Sequence, residues 1–143
     1  MGLDPKIWLP HFRFTLMTVA ISYPSHPNDV SKRKYYDLIQ NIAVFIPHSP
    51  LGSDFLPMLD QYPITPYLGS RLSFMKWVHF VCNKLYESQE MTTHGFMDSL
   101  EEYYNQYKPR EVVDREKHKQ RLKYVQFGVI LAGIFGVAYI YGR

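Results

Sequence analysis

The sequence predicts an all-α protein: an antiparallel four-helix bundle with a short fifth helix, followed by one C-terminal transmembrane helix. Three observations carry this expectation. Apolar residues recur at three- and four-residue intervals through most of the chain before position 109. Proline clusters separate those stretches, and no alternating apolar run suggests a strand. Residues 124–142 then run on without a single charge.

Taken in order, the first helix is expected over about 10–22, with Phe12, Leu16, Val19 and Ala20 as its apolar stripe and Tyr23-Pro24-Ser25-His26-Pro27 as its stop. Asn28 or Asp29 can cap the second, whose stripe is Tyr35, Leu38, Ile39, Ile42 and Phe45; Pro47 and Pro50 end it. A short third helix, about 53–61, carries Phe55, Leu56 and Leu59 and tolerates Pro57 only in its first turn. Ser70 opens the fourth, about 71–88, with Leu72, Met75, Val78, Cys82 and Leu85 as the inward seam. The fifth, about 96–107, stops before Pro109, and 112–123 continues as a helix into the apolar tail. Four main helices joined by short connections make a bundle the default packing. The domain division is 1–109 for the bundle, 110–123 for a basic linker and 124–142 for the membrane helix.

The tail has the dimensions of an anchor. Residues 124–142 carry Gln126 as their one strongly polar side chain, and as a helix they cover about 28 Å of a hydrocarbon layer roughly 30 Å thick. Tyr124 at one end and Tyr139 and Tyr141 at the other fit the interfaces. Gly128, Ala132 and Gly136 form one smooth stripe, suited to close packing against another helix. Before the tail, Arg115, Lys117, Lys119, Arg121 and Lys123 surround a single acid, Glu116. That collar suits anionic lipid head groups at about 1 kcal/mol per cation. By the positive-inside tendency it favours the cytosolic or matrix side for the bundle. The first residues show neither an apolar signal core nor an arginine-rich presequence, and Lys6 stands where a myristoylation site needs Ser or Thr.

Composition excludes several chemistries. The chain has 143 residues, 46% apolar and 20% charged, with a net charge of +3 that is too mild to argue for nucleic acid. Cys82 is the only cysteine, so no intramolecular disulfide, dithiol pair or cysteine-rich zinc site can form. On the inward seam it is expected to act as a small, inert hydrophobe. The six histidines include no i, i+4 pair for a metal. No phosphate-binding glycine loop or paired carboxylate is present. Phe96, Tyr103, Tyr104 and Tyr107 could form an interaction surface or pack on the bundle.

The order of unusual residues resembles a known family. Trp8-x-Pro10, Leu16, Ala20 and Tyr23-Pro24 follow the opening WGPxxWxxLHxxAxxYP of the flavin-linked sulfhydryl oxidases of the ALR/Erv family. Lys34-Tyr35-Tyr36 and positions 47–55 follow that family's second helix and PCxxCRxxF segment. Pro63-Ile64, Ser70-Arg71, Trp77 and Asn83-Lys84 follow its PI, SR, W and HNxVN elements, and Tyr103-Tyr104, Tyr107 and Lys108-Pro109 resemble the close of some members. The resemblance covers about 8–109 and implies a helical bundle around a flavin.

The departures shape the functional expectation. The cysteines of CxxC, which pass electrons from substrate thiols to the flavin in active members, are His48 and Leu51 here. The flavin-contacting Trp and His of helix one are Arg13 and Met17, and HNxVN has become Cys82-Asn83-Lys84-Leu85-Tyr86. Of the flavin-pocket positions Arg13, Met17, Trp77, Cys82, Asn83 and Tyr86, only Trp77 and Asn83 keep the family residue. Sequence alone thus leads to the expectation of no enzyme activity, FAD lost, no metal, and a pocket filled by side chains. The expected role is an accessory subunit of a mitochondrial inner-membrane respiratory complex, its bundle in the intermembrane space and its partners the other subunits and membrane lipid. Two alternatives stay open: an FAD-dependent thiol oxidase using a partner's cysteines, and a tail-anchored adaptor on a cytosol-facing membrane.

Overall fold

Asp4 opens the first helix. Its carboxylate accepts from Lys6 N–H at 2.9 Å, and Pro5 takes a position where no backbone donor is needed. This helix, α1, runs Pro5–Ile21 and so begins a turn and more before the expected start, with Pro10 inside it. The computed structural model describes residues 3–46 and 53–141, without the side chains of 53, 54, 110, 113, 116 and 135–141. Among the described residues the further helices are α2 (Asp29–Phe45), α3 (Ser53–Gln61), α4 (Arg71–Ser88), α5 (Phe96–Asn105) and α6 (Arg110–Tyr141), with a 3-10 turn at Thr65–Tyr67. No strand occurs among the described residues. The chain divides into two compact units, Met1–Tyr103 and Tyr104–Arg143.

Within the first unit, α1 packs on α4 and α2 on α3. The α4 helix is central. Phe74, Trp77, Val78, Val81, Cys82 and Leu85 are all buried, so it is covered on more than the one seam that its periodicity suggests. Leu72, expected inward, is 54% exposed. On α2 the buried pair is Ile39 and Ala43, whereas Leu38 and Phe45 face solvent. Pro57 lies just past the first turn of α3, one step further in than expected.

The residues of the family resemblance meet at the end of α1. Tyr23 is fully buried, its hydroxyl donating to the Leu68 carbonyl at 2.8 Å and its ring edge-on to Tyr35 and Phe74 at 4.6 and 5.0 Å. Arg71 Nε donates to the Tyr23 carbonyl, and Trp77 Nε1 donates to the Tyr62 carbonyl at 3.0 Å. Tyr23, Arg71 and Trp77 therefore tie neighbouring segments of the chain to the first turns of α4.

In the second unit, α6 is a single helix of 32 residues. The described side chains from Tyr124 to Ile134 are exposed on every face, Val125, Phe127, Val129, Ile130 and Leu131 among them. Among the described residues no helix is long and apolar enough to cross a membrane. The transmembrane span expected over 124–142 is thus not shown, and its second half has side chains outside the described residues.

Candidate functional site

Arg13 projects from α1 toward α4 and α5. Its Nη2 donates to Ser99 Oγ at 2.5 Å, and its guanidinium carbon stands 5.0 Å from the centre of the Tyr86 ring. Ser99 is 4% exposed, the one buried polar residue of the described core. Two further contacts hold α5 to α1: Thr18 Oγ1 lies 2.9 Å from Tyr103 Oη, and Phe14 stacks on Tyr103 at 5.0 Å. Tyr103 therefore packs inward, whereas Tyr104 and Tyr107 stay exposed.

The network continues along one face of α4. His79 Nε2 sits 3.1 Å from both Ser99 Oγ and the His94 carbonyl. Asn83 Nδ2 donates to the same carbonyl at 3.0 Å and lies 3.4 Å from His79 Nε2. Asn83 Oδ1 is buried with no partner among the described residues. None of the ion pairs among the described residues involves Arg13. Its charge consequently acts on the groups around it. Burial holds the His79 imidazole below its usual range and the Arg13 charge pushes the same way, against the hydrogen bond to the His94 carbonyl. Burial raises the Tyr86 phenol, and Arg13 opposes that rise. Burial pushes the fully enclosed Cys82 thiol up to about 12, so at neutral pH it is no nucleophile.

The expected pocket positions are brought together only in part. Arg13 and Tyr86 touch directly, and Asn83 joins them through His79 and Ser99. Met17 and Cys82 are buried. Trp77 faces away: nine residues at about 100° each place it half a turn from Tyr86, where it stacks on Phe74 and bonds Tyr62. Ser99 and His79 were absent from the sequence-derived set. The spacing of His79 one turn before Asn83 was a usable signal, whereas Ser99, 86 positions from Arg13, had none. His48 and Leu51 lie outside the described residues. On α6, Gly128 and Ala132 are exposed, while Gly136 has no described side chain. Arg115, Lys117, Lys119, Arg121 and Lys123 all face solvent. No group of three or more His, Cys, Asp or Glu able to hold a metal occurs among the described residues.

Two crystal structures share this arrangement of helices: the core of yeast Erv1 and a cysteine-to-serine double mutant of Erv1 from Saccharomyces cerevisiae. Each has a TM-score of 0.59 at 20% identity, over 67% of this chain and 80% of the other. The fold is that of the Erv1 core. By sequence, the chain is 27% identical over 96 residues to a protein of Acanthamoeba polyphaga mimivirus described as a "Probable FAD-linked sulfhydryl oxidase". The match covers 64% of this chain and 66% of that protein, just under two thirds of its length. No family model matches.

This finding corrects two expectations, that the chain is no enzyme and that FAD is lost. The protein it is similar to is itself described as FAD-linked and as an oxidase. The inference from replaced motif residues treated the loss of family side chains as the loss of a site. The fold, however, gathers Arg13, His79, Ser99 and Tyr86, which the motif does not name, around Asn83. In kind these groups fit a flavin. Among the described residues, Asn83 offers a buried amide oxygen that lacks a donor, Tyr86 a buried ring, and Arg13 a cation without a carboxylate. Asn83, Tyr86 and Arg13 are the residues that would hold it.

Proposed function

We infer that the chain is an FAD-linked sulfhydryl oxidase module, held at a membrane by α6, whose dithiol comes from a partner chain. The observation that carries this reading is Cys82, the only cysteine in a bundle with the Erv1-core fold and one whose thiol is buried and protonated. The dithiol for the reaction then lies outside these 143 residues, and the reading places it on a partner chain. When that pair closes to a disulfide it gives up two electrons and two protons, which bound FAD is suited to accept. The chain's own residues bind and position: Asn83 supplies an acceptor, Arg13 favours negative charge, and the packed core around Cys82 keeps its thiol out of exchange.

The membrane part of the proposal rests on the exposed apolar side chains between Tyr124 and Ile134 and on the cationic collar before them. A helix apolar all round is at home in lipid or against other membrane helices, which also suits a subunit of a larger membrane assembly. Extraction in mild detergent followed by identification of co-purifying proteins tests the reading. A bound partner with a cysteine pair is expected, and a chain recovered alone contradicts it. Protease treatment of intact mitochondria reads the placement: protection fits an intermembrane-space bundle, and digestion fits a cytosol-facing one.

A further inference from the structure

His79 and Asn83 stand one turn apart on α4, so both side chains leave the same face of the helix. They meet at one atom, the carbonyl oxygen of His94 in the loop before α5. His79 Nε2 lies 3.1 Å from it and Asn83 Nδ2 lies 3.0 Å from it. A carbonyl can only accept, and this settles two choices that heavy-atom positions leave open. The Asn83 amide turns its nitrogen to the loop, which directs Oδ1 the other way. The His79 ring carries a proton on Nε2, and Ser99 Oγ, also at 3.1 Å, shares it. Phe96 stands edge-on to the imidazole at 5.5 Å and keeps the ring in this place. Of the two side chains, the buried atom left without a partner among the described residues is Asn83 Oδ1. A buried acceptor without a donor is rare in a finished interior.

We propose that His79 is a positioning residue: by donating to the His94 carbonyl it anchors the loop against which Asn83 is aligned, so that Asn83 Oδ1 is presented to an N–H or O–H donor of a bound ligand. The identity of that ligand rests on the oxidase reading, which makes it FAD; both ring systems of FAD carry N–H donors. The alignment of Asn83 belongs to the chain itself, whatever is bound. His79 acts through Asn83 and touches no ligand. Without the Nε2 proton donor, the His94 carbonyl is tied to α4 by the Asn83 amide alone, and the amide then follows the loop. Hydrogen bonds weaken steeply as their angle departs from linear, so a loosened acceptor binds less well than one locked at both its neighbours. A second layer of hydrogen bonds that orients the contacting groups is a common device in binding sites.

The test uses the full chain in detergent micelles, stripped of flavin and titrated with FAD while flavin fluorescence is followed. His79→Gln keeps an N–H donor at the place of Nε2, whereas His79→Phe keeps the ring shape and loses the donor. The Gln variant is expected to bind FAD as the unaltered chain does, and the Phe variant about tenfold more weakly. In an Asn83→Ala background, His79→Phe is expected to cause no further loss, because the residue through which it acts is gone. Equal weakening by Gln and Phe, or losses that simply add in the double variant, overturns the proposal. Nitrogen-15 NMR of the unaltered chain supplies a measurement that needs no variant to fold. At neutral pH the His79 ring is expected to be protonated at Nε2 and the Asn83 side-chain amide to give one sharp pair of signals; a bare Nε2 overturns the proposal. Those signals in a chain that takes up no FAD sustain the alignment of Asn83 by His79 and overturn the oxidase reading instead.

Discussion

Arg13 reaches from α1 to Ser99 on α5, Nη2 to Oγ at 2.5 Å, and Ser99 is almost completely buried there. A half-buried cation thus depends on a neutral hydroxyl and the Tyr86 ring, with no carboxylate paired to it among the described residues. Removing the hydroxyl strands the cation. Ser99→Ala is expected to cost about 1–3 kcal/mol, because it leaves a charged donor unsatisfied. Arg13→Met removes the charge that needs the hydroxyl, so the double variant should be more stable than the sum of the two single losses predicts. Denaturant melts of the four proteins check this, and strict additivity refutes the coupling.

Stability should fall on mild acidification. The folded-state pKa of His79 is depressed, first by burial and then by Arg13. The unfolded chain therefore binds the proton more readily, and its contribution is complete above the ordinary value of 6.5 and is lost as pH falls below it. Thermal melts between neutral pH and mild acid should show a declining midpoint, with a shallower decline in His79→Asn. Parallel curves for the two proteins would contradict this.

Tyr23→Phe isolates a single hydrogen bond. The ring contacts to Tyr35 and Phe74 are retained, but the buried Leu68 carbonyl loses its donor. A loss of about 1–3 kcal/mol is expected in chemical denaturation; a neutral effect would show that the carbonyl finds another donor.

Leu131→Lys addresses α6. Leu131 is exposed in the middle of the apolar stretch, and a cation at the centre of an inserted helix costs about 2.5–3.5 kcal/mol. Loss of carbonate-resistant membrane association is expected, and retention would count against anchoring by this helix.

What was legible in the sequence follows from locality. The bounds of α4 and the start of α2 could be read because their caps are local. Ser70 Oγ accepts from Ser73 N–H and Asn28 Oδ1 from Ser31 N–H, each three residues on. The start of α1 was misplaced because Pro10 looks like a first-turn proline, whereas the Asp4-Pro5 pair supplies the real cap. Phe45 was placed inward because it keeps the period of α2, but periodicity says nothing of whether a neighbour reaches the helix end. Arg13 was recognised as a replacement at a flavin-contact position; its acceptor was hidden because Ser99 is distant in sequence and ordinary in type. The motif residues, in turn, split between two jobs. Tyr23, Arg71 and Trp77 tie neighbouring segments to the first turns of α4, and Asn83 alone joins the polar network.

The absorption spectrum of the full chain, purified in mild detergent, tests the central claim most directly. The account predicts a band near about 450 nm from oxidised isoalloxazine, released on denaturation as FAD and bleached by a dithiol-bearing partner. Protein that is folded, colourless and unable to take up added FAD would contradict it.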